Sequence, residues 1–193
     1  SHVEEVVRIE KRVNRIRVEV TYRVPVAMVE VKVDEQRFVF PVDRSAVVMQ
    51  TNDFDEADLG EFLRLVSDYS KPKGNSGTPW GDPIITAGAA IANSLNDIAW
   101  KAMGLYRIYS IAENDGSNRL YYVNLKNDEN IRVLWGNPPG EEVSSEASVA
   151  EKVTNLEAFF KENSTLSVSS ETAEIDLRSK DGVVVVPLAE ATE

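Results

Sequence analysis

Apolar and polar side chains alternate along the first 50 residues of the chain, with the period of two that is typical of half-buried β-strands. The pattern is clearest in segment 15–24, where the even positions are apolar or aromatic and the odd positions are polar. Short polar turns divide the region, so it predicts two hairpins and a further strand. Their segments are 6–13 with 15–24, 26–33 with 37–42, and 46–50.

The spacing of apolar residues then changes to three and four, which predicts three amphipathic helices over 55–69, 82–103 and 146–162. The first of them begins with acidic residues, which the helix dipole favours there. Asp82 has the position of an N-cap for the second. Segment 70–80 is rich in glycine, proline and lysine, and we expect it to be a flexible loop without packing.

Strand-like segments return after the second helix. Tyr106 to Glu113, Arg119 to Lys126 and Ile131 to Trp135 are separated by short polar turns and predict an antiparallel meander. Ala173 to Arg178 and Gly182 to Leu188 predict two closing strands. Strands and helices that are grouped in this way indicate the α+β class.

The last predicted strand is apolar on both of its faces. Such a strand at the end of a chain is a hazard for unwanted pairing unless something covers it. Two explanations stay open at this point. Gly182 to Leu188 is either a central strand of the sheet, or an edge strand that a partner completes by β-augmentation, in which main-chain hydrogen bonds supply the affinity.

Composition excludes several kinds of chemistry. The chain has 193 residues, no cysteine and one histidine. Disulfides, thiolate zinc sites and cysteine nucleophiles therefore cannot form, and a serine–histidine triad would need His2, beside the chain start. We expect no catalytic, metal-binding or cofactor-binding residue.

The charge of the chain bears on its partners. With 21 basic and 32 acidic side chains the formal net charge is -11, which disfavours nucleic acid as a partner because phosphates are repelled. Residues 141–193 carry four basic and twelve acidic side chains, whereas residues 1–37 carry eight and seven. We therefore expect a partner of the closing strands to present a basic surface and to bind more weakly as salt increases.

Asp53, Asp55, Glu56 and Asp58 form the densest acidic group in the chain. Two of them could act as general acid and base in a hydrolase, and strongly shifted carboxyl pKa values in a cleft would be the signature of that alternative. An acidic first turn of a helix is the explanation that we favour.

Several strings resemble the extracytoplasmic part of the FtsQ/DivIB bacterial cell-division proteins. They are similar to the end of that family's POTRA domain, to the entry into its β-domain, and to a strand-turn, a helix and the ending of that domain. In chain order the strings are Val3 to Val20 with Pro25 to Ala27, Asp34 to Asp43, Val133 to Gly136, Glu151 to Val153 with Leu156, and Glu174 to Arg178 before Asp181 to Val185. The resemblance covers nearly the whole chain, and its weight lies in the common order of the strings.

The resemblance implies a division of the chain and a fold. Residues 1–24 would be the C-terminal hairpin of a POTRA-like domain, and residues 25–193 a curved, mostly antiparallel β-domain packed by three helices. The chain starts at Ser1 without methionine, and no apolar run approaches the ~20 residues that cross a bilayer. We therefore expect a fragment that lacks the upstream POTRA half and a transmembrane helix, so that the uncovered hairpin could self-associate.

The resemblance also implies a function. The protein would be a non-enzymatic scaffold of the divisome, held in the inner membrane by a single helix, with this region on the periplasmic side and FtsB-like and FtsL-like division proteins as partners. A POTRA-type module of an outer-membrane assembly or secretion machine is the alternative. Such a module should contain further POTRA repeats, and the sequence shows no repeat of that kind.

The closing strands are where we expect the partner to bind. A partner strand would add to the edge that they form, with valines on alternate sides in shallow pockets. The predicted partner-binding residues are Ile175, Leu177, Arg178, Gly182, Val183, Val184, Val185 and Val186.

Overall fold

The computed structural model of the protein describes residues 3–34, 36–67, 70–113, 118–128, 130–167 and 173–187. A two-stranded sheet, an eight-stranded sheet and three α-helices make up its regular structure, which confirms the predicted α+β class. The predictions that concern His2, Tyr69 and Leu188 lie outside the described residues. In the described part of the chain, no helix combines the length and the apolar character that a membrane span requires.

Ten strands and three helices follow one another along the described residues. The strands are β1 (Val3–Arg12), β2 (Arg15–Tyr22), β3 (Pro25–Val33), β4 (Gln36–Asp43), β5 (Leu63–Ser67), β6 (Leu105–Ala112), β7 (Arg119–Leu125), β8 (Ile131–Gly136), β9 (Ala173–Asp176) and β10 (Val184–Pro187). The helices are α1 (Glu56–Leu59), α2 (Pro83–Leu95) and α3 (Val149–Asn163), and a short 3-10 helix spans Thr51–Asp53.

The large sheet has the strand order β10-β9-β8-β7-β6-β5-β3-β4. Four of its seven neighbouring pairs are antiparallel, among them the predicted meander β6-β7-β8, which is confirmed. The pairs β3-β5, β5-β6 and β8-β9 are parallel. Parallel neighbours need long connections, and α2 and α3 lie in two of these, between β5 and β6 and between β8 and β9.

The first hairpin forms a sheet of its own. β1 and β2 pair antiparallel, and their register places Val6, Ile9, Ile16 and Val18 on one face, where all four are exposed. An ion pair between Glu4 and Arg44 ties the hairpin to the rest of the chain. The division between the two sheets coincides with the predicted boundary between 1–24 and 25–193. The assignment of the hairpin to a POTRA-like domain and its self-association stay predictions.

One face of the large sheet is covered by the two long helices. The Asp82 side chain accepts a hydrogen bond from Ile84 N at 2.8 Å, so the predicted N-cap is confirmed, and α2 packs along β3, β5 and β6. This helix ends at Leu95, eight residues before the predicted end at Met103. Asn96 and Asp97 follow Leu95 directly, and asparagine and aspartate side chains compete with the helix for backbone hydrogen bonds.

The prediction of a helix over 55–69 was wrong in its second half. α1 is a single turn, and after Gly60 the chain forms β5, which lies between β3 and β6 in the interior of the sheet. Leu63 and Leu65 are fully buried on the helix-covered face and alternate with Arg64. The short alternation is compatible with either structure, and parallel pairing on both sides of β5 decides for the strand.

The prediction of a loop without packing over 70–80 was also wrong. Trp80 is completely buried and meets the Phe40 ring edge-on, with 5.7 Å between the ring centroids. Its indole N–H donates to Ser70 Oγ at 2.8 Å, and its backbone N–H donates to Ala46 O at 2.8 Å. The segment is therefore held against the core by an aromatic anchor.

Replacing Trp80 by alanine should lower the free energy of unfolding by about 3–5 kcal/mol, because a large buried aromatic ring leaves a cavity. Chemical unfolding followed by circular dichroism measures the change. Lys71→Ala, in the same segment but exposed, serves as the control and should change stability by less than about 0.5 kcal/mol. Equal, small effects of the two substitutions would mean that the segment is not packed.

Candidate partner-binding edge and the polar network beside it

The terminal strand β10 is an edge strand. It pairs antiparallel with β9 on one side, and no described strand lies along its other side. Of the two explanations for its apolar sequence, a central position is therefore excluded within the described residues. An unpaired edge presents backbone N–H and C=O groups that can template a further strand.

The valines of β10 are exposed on both faces of the strand. Val184 lies opposite Asp176 and Val186 opposite Glu174, so these two share one face, and Val185 lies on the face covered by the helices. Their exposed fractions are 46%, 41% and 39%, respectively. Three neighbouring, half-exposed valines on a free edge are an apolar surface that a partner strand would cover.

The other predicted partner-binding residues have different environments. Ile175 and Leu177 are completely buried in the core, so their predicted contact with a partner is not compatible with this structure, and they anchor β9 instead. Val183 packs against the core, and Gly182 has a φ of 122°, which a side chain would strain. Arg178 is half-exposed and therefore remains available to a partner.

Negative charge beside β10 is compensated by arginines. Arg178 makes a two-pronged ion pair with Asp176, and Arg132 donates to Glu174 at 2.9 Å. Both carboxylates lie on β9, directly opposite valines of β10. The charge counted along residues 141–193 thus overstates the negative field at this edge. The basic character expected of the partner stays a prediction.

A polar cavity of about 410 Å³ opens at the end of the sheet where β10 begins. Asp176 and Arg178 form its side towards β10, and Asn137 and Glu146 form another part of its wall. The sequence did not predict this cavity, because its walls come from segments far apart in the chain. Arg178 belongs both to the cavity wall and to the predicted partner-binding residues, so it connects the cavity with the candidate binding surface.

A buried ion pair joins the wall of this cavity, at Glu146, to Lys152 of α3 behind it. Lys152 Nζ is 2.7 Å from Glu146 Oε1 and lies 5.1 Å from the centre of the Trp135 ring. Asn137 donates to Glu146 through its backbone N–H at 2.9 Å and its side-chain amide at 2.7 Å. Both charged side chains are buried, so each depends on the other and on Asn137 for the interactions that water would otherwise provide.

This network fixes the connection between β8 and α3. The predicted start of α3 at Glu146 is replaced by a capping box at Ser148 and Glu151, which leaves Glu146 free to turn inward. Gly136, with a φ of 91°, leaves no room for a side chain between Glu146 and Arg178. The sequence pattern did not predict this arrangement, although Lys152 lies at a helical spacing from Val149 and Leu156, among the apolar residues of the predicted helix.

The chemistry of the carboxylates gives no support to the hydrolase alternative. Burial raises the pKa of Glu146, but hydrogen bonds from Lys152 and Asn137 outweigh it, so the pKa lies below its ordinary value. A general acid needs the opposite shift. In the acidic group near α1, Asp55 and Asp58 form a reciprocal capping box, which confirms the structural explanation for these two residues.

Replacing Lys152 by methionine should lower the free energy of unfolding by about 3–5 kcal/mol, because the Glu146 carboxylate would stay buried without its cation. Urea unfolding measures the loss. The double variant Lys152→Met with Glu146→Leu removes both charges and should recover a large part of the stability. A double variant less stable than the single one would contradict the role of charge pairing.

The same ion pair should make stability depend on pH in acid. Because the pKa of Glu146 is lower in the folded protein than its ordinary value of 4.5, the unfolded chain binds the proton more tightly. The contribution of Glu146 is complete above that ordinary value and is lost as the pH falls through the lower, folded pKa. Unfolding free energies of the wild type and Glu146→Gln should therefore converge on acidification, and parallel pH curves would contradict the assignment.

Comparison with known proteins gives no independent information about the function of this surface. The chain matches no known family model, and no curated protein sequence is significantly similar to it. Its membership of the FtsQ/DivIB family stays a prediction from the order of short strings along the sequence.

Proposed function

We propose that the protein is a non-enzymatic scaffold of bacterial cell division that acts on the periplasmic side of the inner membrane, where a membrane helix anchors the full-length protein. Its partners are FtsB-like and FtsL-like division proteins, which add a β-strand to the free edge of β10. The single observation that carries the proposal is this edge, apolar on both faces and unpaired among the described residues. The order of strings that resemble the FtsQ/DivIB proteins supports the choice of partners.

Strand addition at β10 has two sources of affinity. Main-chain hydrogen bonds along the edge satisfy N–H and C=O groups that otherwise face solvent. Covering the exposed parts of Val184, Val185 and Val186 contributes about 2–4 kcal/mol, since complete burial of one such side chain is worth about 1.5–3 kcal/mol. The two terms favour a partner whose strand carries small apolar residues on both faces.

The cavity at the start of β10 supplies specificity. Arg178 follows β9 by two residues and lines the cavity, so a partner segment that extends beyond the end of the edge would reach the cavity wall at this residue. The wall is polar, with carboxylate, amide and guanidinium groups, so polar residues that flank the partner strand would be selected there. The buried ion pair of Lys152 and Glu146 keeps the wall in place and has no direct contact with the partner in this proposal.

Lysine at Val184 or Val185 should abolish partner capture and leave the fold intact, and so should proline at the one of these positions whose N–H lies on the free side, with a pull-down of purified FtsB-like partner as the measurement. In an edge strand, backbone N–H groups point alternately to β9 and to the free side. Of the adjacent variants Val184→Pro and Val185→Pro, the one with its N–H on the free side should therefore retain thermal stability while losing binding.

A matched control separates edge pairing from general damage. Ile111→Lys changes an exposed apolar residue of β6, away from the edge, and should leave capture unchanged. Undiminished binding by both proline variants and by Val185→Lys would exclude strand addition at β10.

A further inference from the structure

A tight turn, residues 43–47, follows β4 beside the base of the hairpin β1-β2, and we call it the joint turn. Asp43, the last residue of β4, accepts hydrogen bonds at its Oδ1 atom from Ser45 N and Val47 N, both at 2.9 Å. Its side chain is almost completely buried. Two backbone donors that share one buried carboxylate oxygen hold the turn in a single conformation.

The joint turn contains a residue in a strained conformation. Ala46 has a φ of 55°, in the left-handed region that residues other than glycine rarely adopt, and it is completely buried. Its N–H donates to Asp43 O at 2.9 Å, and its C=O accepts from Trp80 N at 2.8 Å. Such a conformation persists only where the surrounding contacts over-determine it. The joint turn is therefore rigid and anchored in the core of the large sheet.

A buried ion pair connects the joint turn to the base of the hairpin. Arg23, in the connection between β2 and β3, donates a hydrogen bond from Nη1 to Asp43 Oδ2. The exposed fractions of the two side chains are 16% and 3%, respectively. Among the described residues Asp43 is the one anionic partner of this guanidinium, whose Nε atom is buried without an acceptor. Turning the hairpin away would leave two buried charges uncompensated, which is strongly unfavourable.

A second contact comes from the next residue of the joint turn. Arg44 donates to Glu4 Oε1 of β1 from Nη2 at 2.8 Å and from Nε at 3.2 Å. Val3 pairs with Tyr22, so the start of β1 and the end of β2 lie side by side at the base of the hairpin. Neighbouring residues of the joint turn therefore hold this base at two points, whereas a single contact would leave the hairpin free to rotate about it.

The connection between the two sheets adds a further restriction. Pro25 begins β3 opposite Asp43, and a proline fixes its own φ and holds the preceding residue in an extended conformation. The link from Tyr22 to Pro25 thus has little freedom. Among the described residues no strand pairing joins the hairpin to the large sheet, and units without a large common interface normally move relative to each other. The contacts of the joint turn oppose this motion.

We propose that the joint turn fixes the hairpin in one orientation relative to the large sheet, and that the buried pair of Arg23 and Asp43 is the contact that fixes it. The exposed pair of Arg44 and Glu4 is screened by salt and contributes less. The apolar face of the hairpin and the free edge of β10 then keep a constant relative position. The inference concerns the molecule without a partner, so it goes beyond the proposed function and does not depend on it.

Double electron–electron resonance between two spin labels tests the inference. The chain has no cysteine, so labels can be attached without background at Val13→Cys in the turn of the hairpin and at Glu157→Cys on α3, both exposed positions. The distance distribution should be as narrow as that of a reference pair, Asn127→Cys with Glu157→Cys, which does not involve the hairpin. Arg23→Met should widen the Val13–Glu157 distribution about twofold or more, because units that are no longer held move independently, and should leave the reference distribution narrow.

Two further variants separate the contacts. Asp43→Asn keeps an oxygen acceptor for the joint turn but removes the charge, and it should widen the same distribution as Arg23→Met does. Glu4→Gln removes the exposed pair and should leave the distribution narrow, as should about 1 M salt, where the screening length is about 3 Å. A wide distribution without these substitutions, no widening by Arg23→Met, or equal widening by Glu4→Gln or by salt would overturn the proposal. Widening by Arg23→Met only together with the reference pair would also overturn it, since it would report a loss of the fold.

Discussion

The buried ion pair between Lys152 and Glu146 is the interaction on which the C-terminal half of the sheet depends. Lys152 comes from α3, and Glu146 comes from the connection that follows β8, so their contact ties the helix to the sheet. Asn137 completes the network and holds the end of β8. β9 pairs with β8, and β10 pairs with β9. The position of the free edge therefore depends on a buried charged pair at the other end of these strand contacts.

A buried charge pair is an expensive way to hold a helix, and a well-packed apolar pair can be as stable or more so. What the charged pair supplies is a single geometry. The Glu146 carboxylate accepts hydrogen bonds from fixed directions, and Gly136 leaves just enough space for it beside Arg178. An apolar replacement would tolerate several arrangements of the connection. The surface beside β10 would then lose its defined shape.

Local pattern was sufficient to predict most strands and two of the three helices, because alternation and the N-cap at Asp82 are properties of neighbouring residues. It failed where distant segments decide the outcome. β5 forms because β3 and β6 pair with it on both sides, and the single turn of α1 does not continue. Trp80 is buried because Phe40, forty residues earlier, forms its pocket. The two rings are too far apart in the sequence for a local pattern to relate them.

In the candidate site, too, the local sequence predicts some features and the fold decides the others. The apolar character of the terminal strand was visible in the sequence, but its place at the edge is a property of sheet order. Burial of Ile175 and Leu177 follows from the side of β9 that faces the helices, and a pattern on four residues does not specify the side.

The parallel pairing of β8 with β9 has a consequence for the order in which the molecule is completed. β9 lies parallel to β8, so the chain must cross the face of the sheet through α3 before β9 can pair. The β6-β7-β8 meander, in contrast, closes through short turns. The β9-β10 hairpin is thus held to the rest of the sheet along one side only, by four residue pairs between β9 and β8. A strand bound along β10 would act as a lock on this hairpin, and it would engage only molecules that have finished folding.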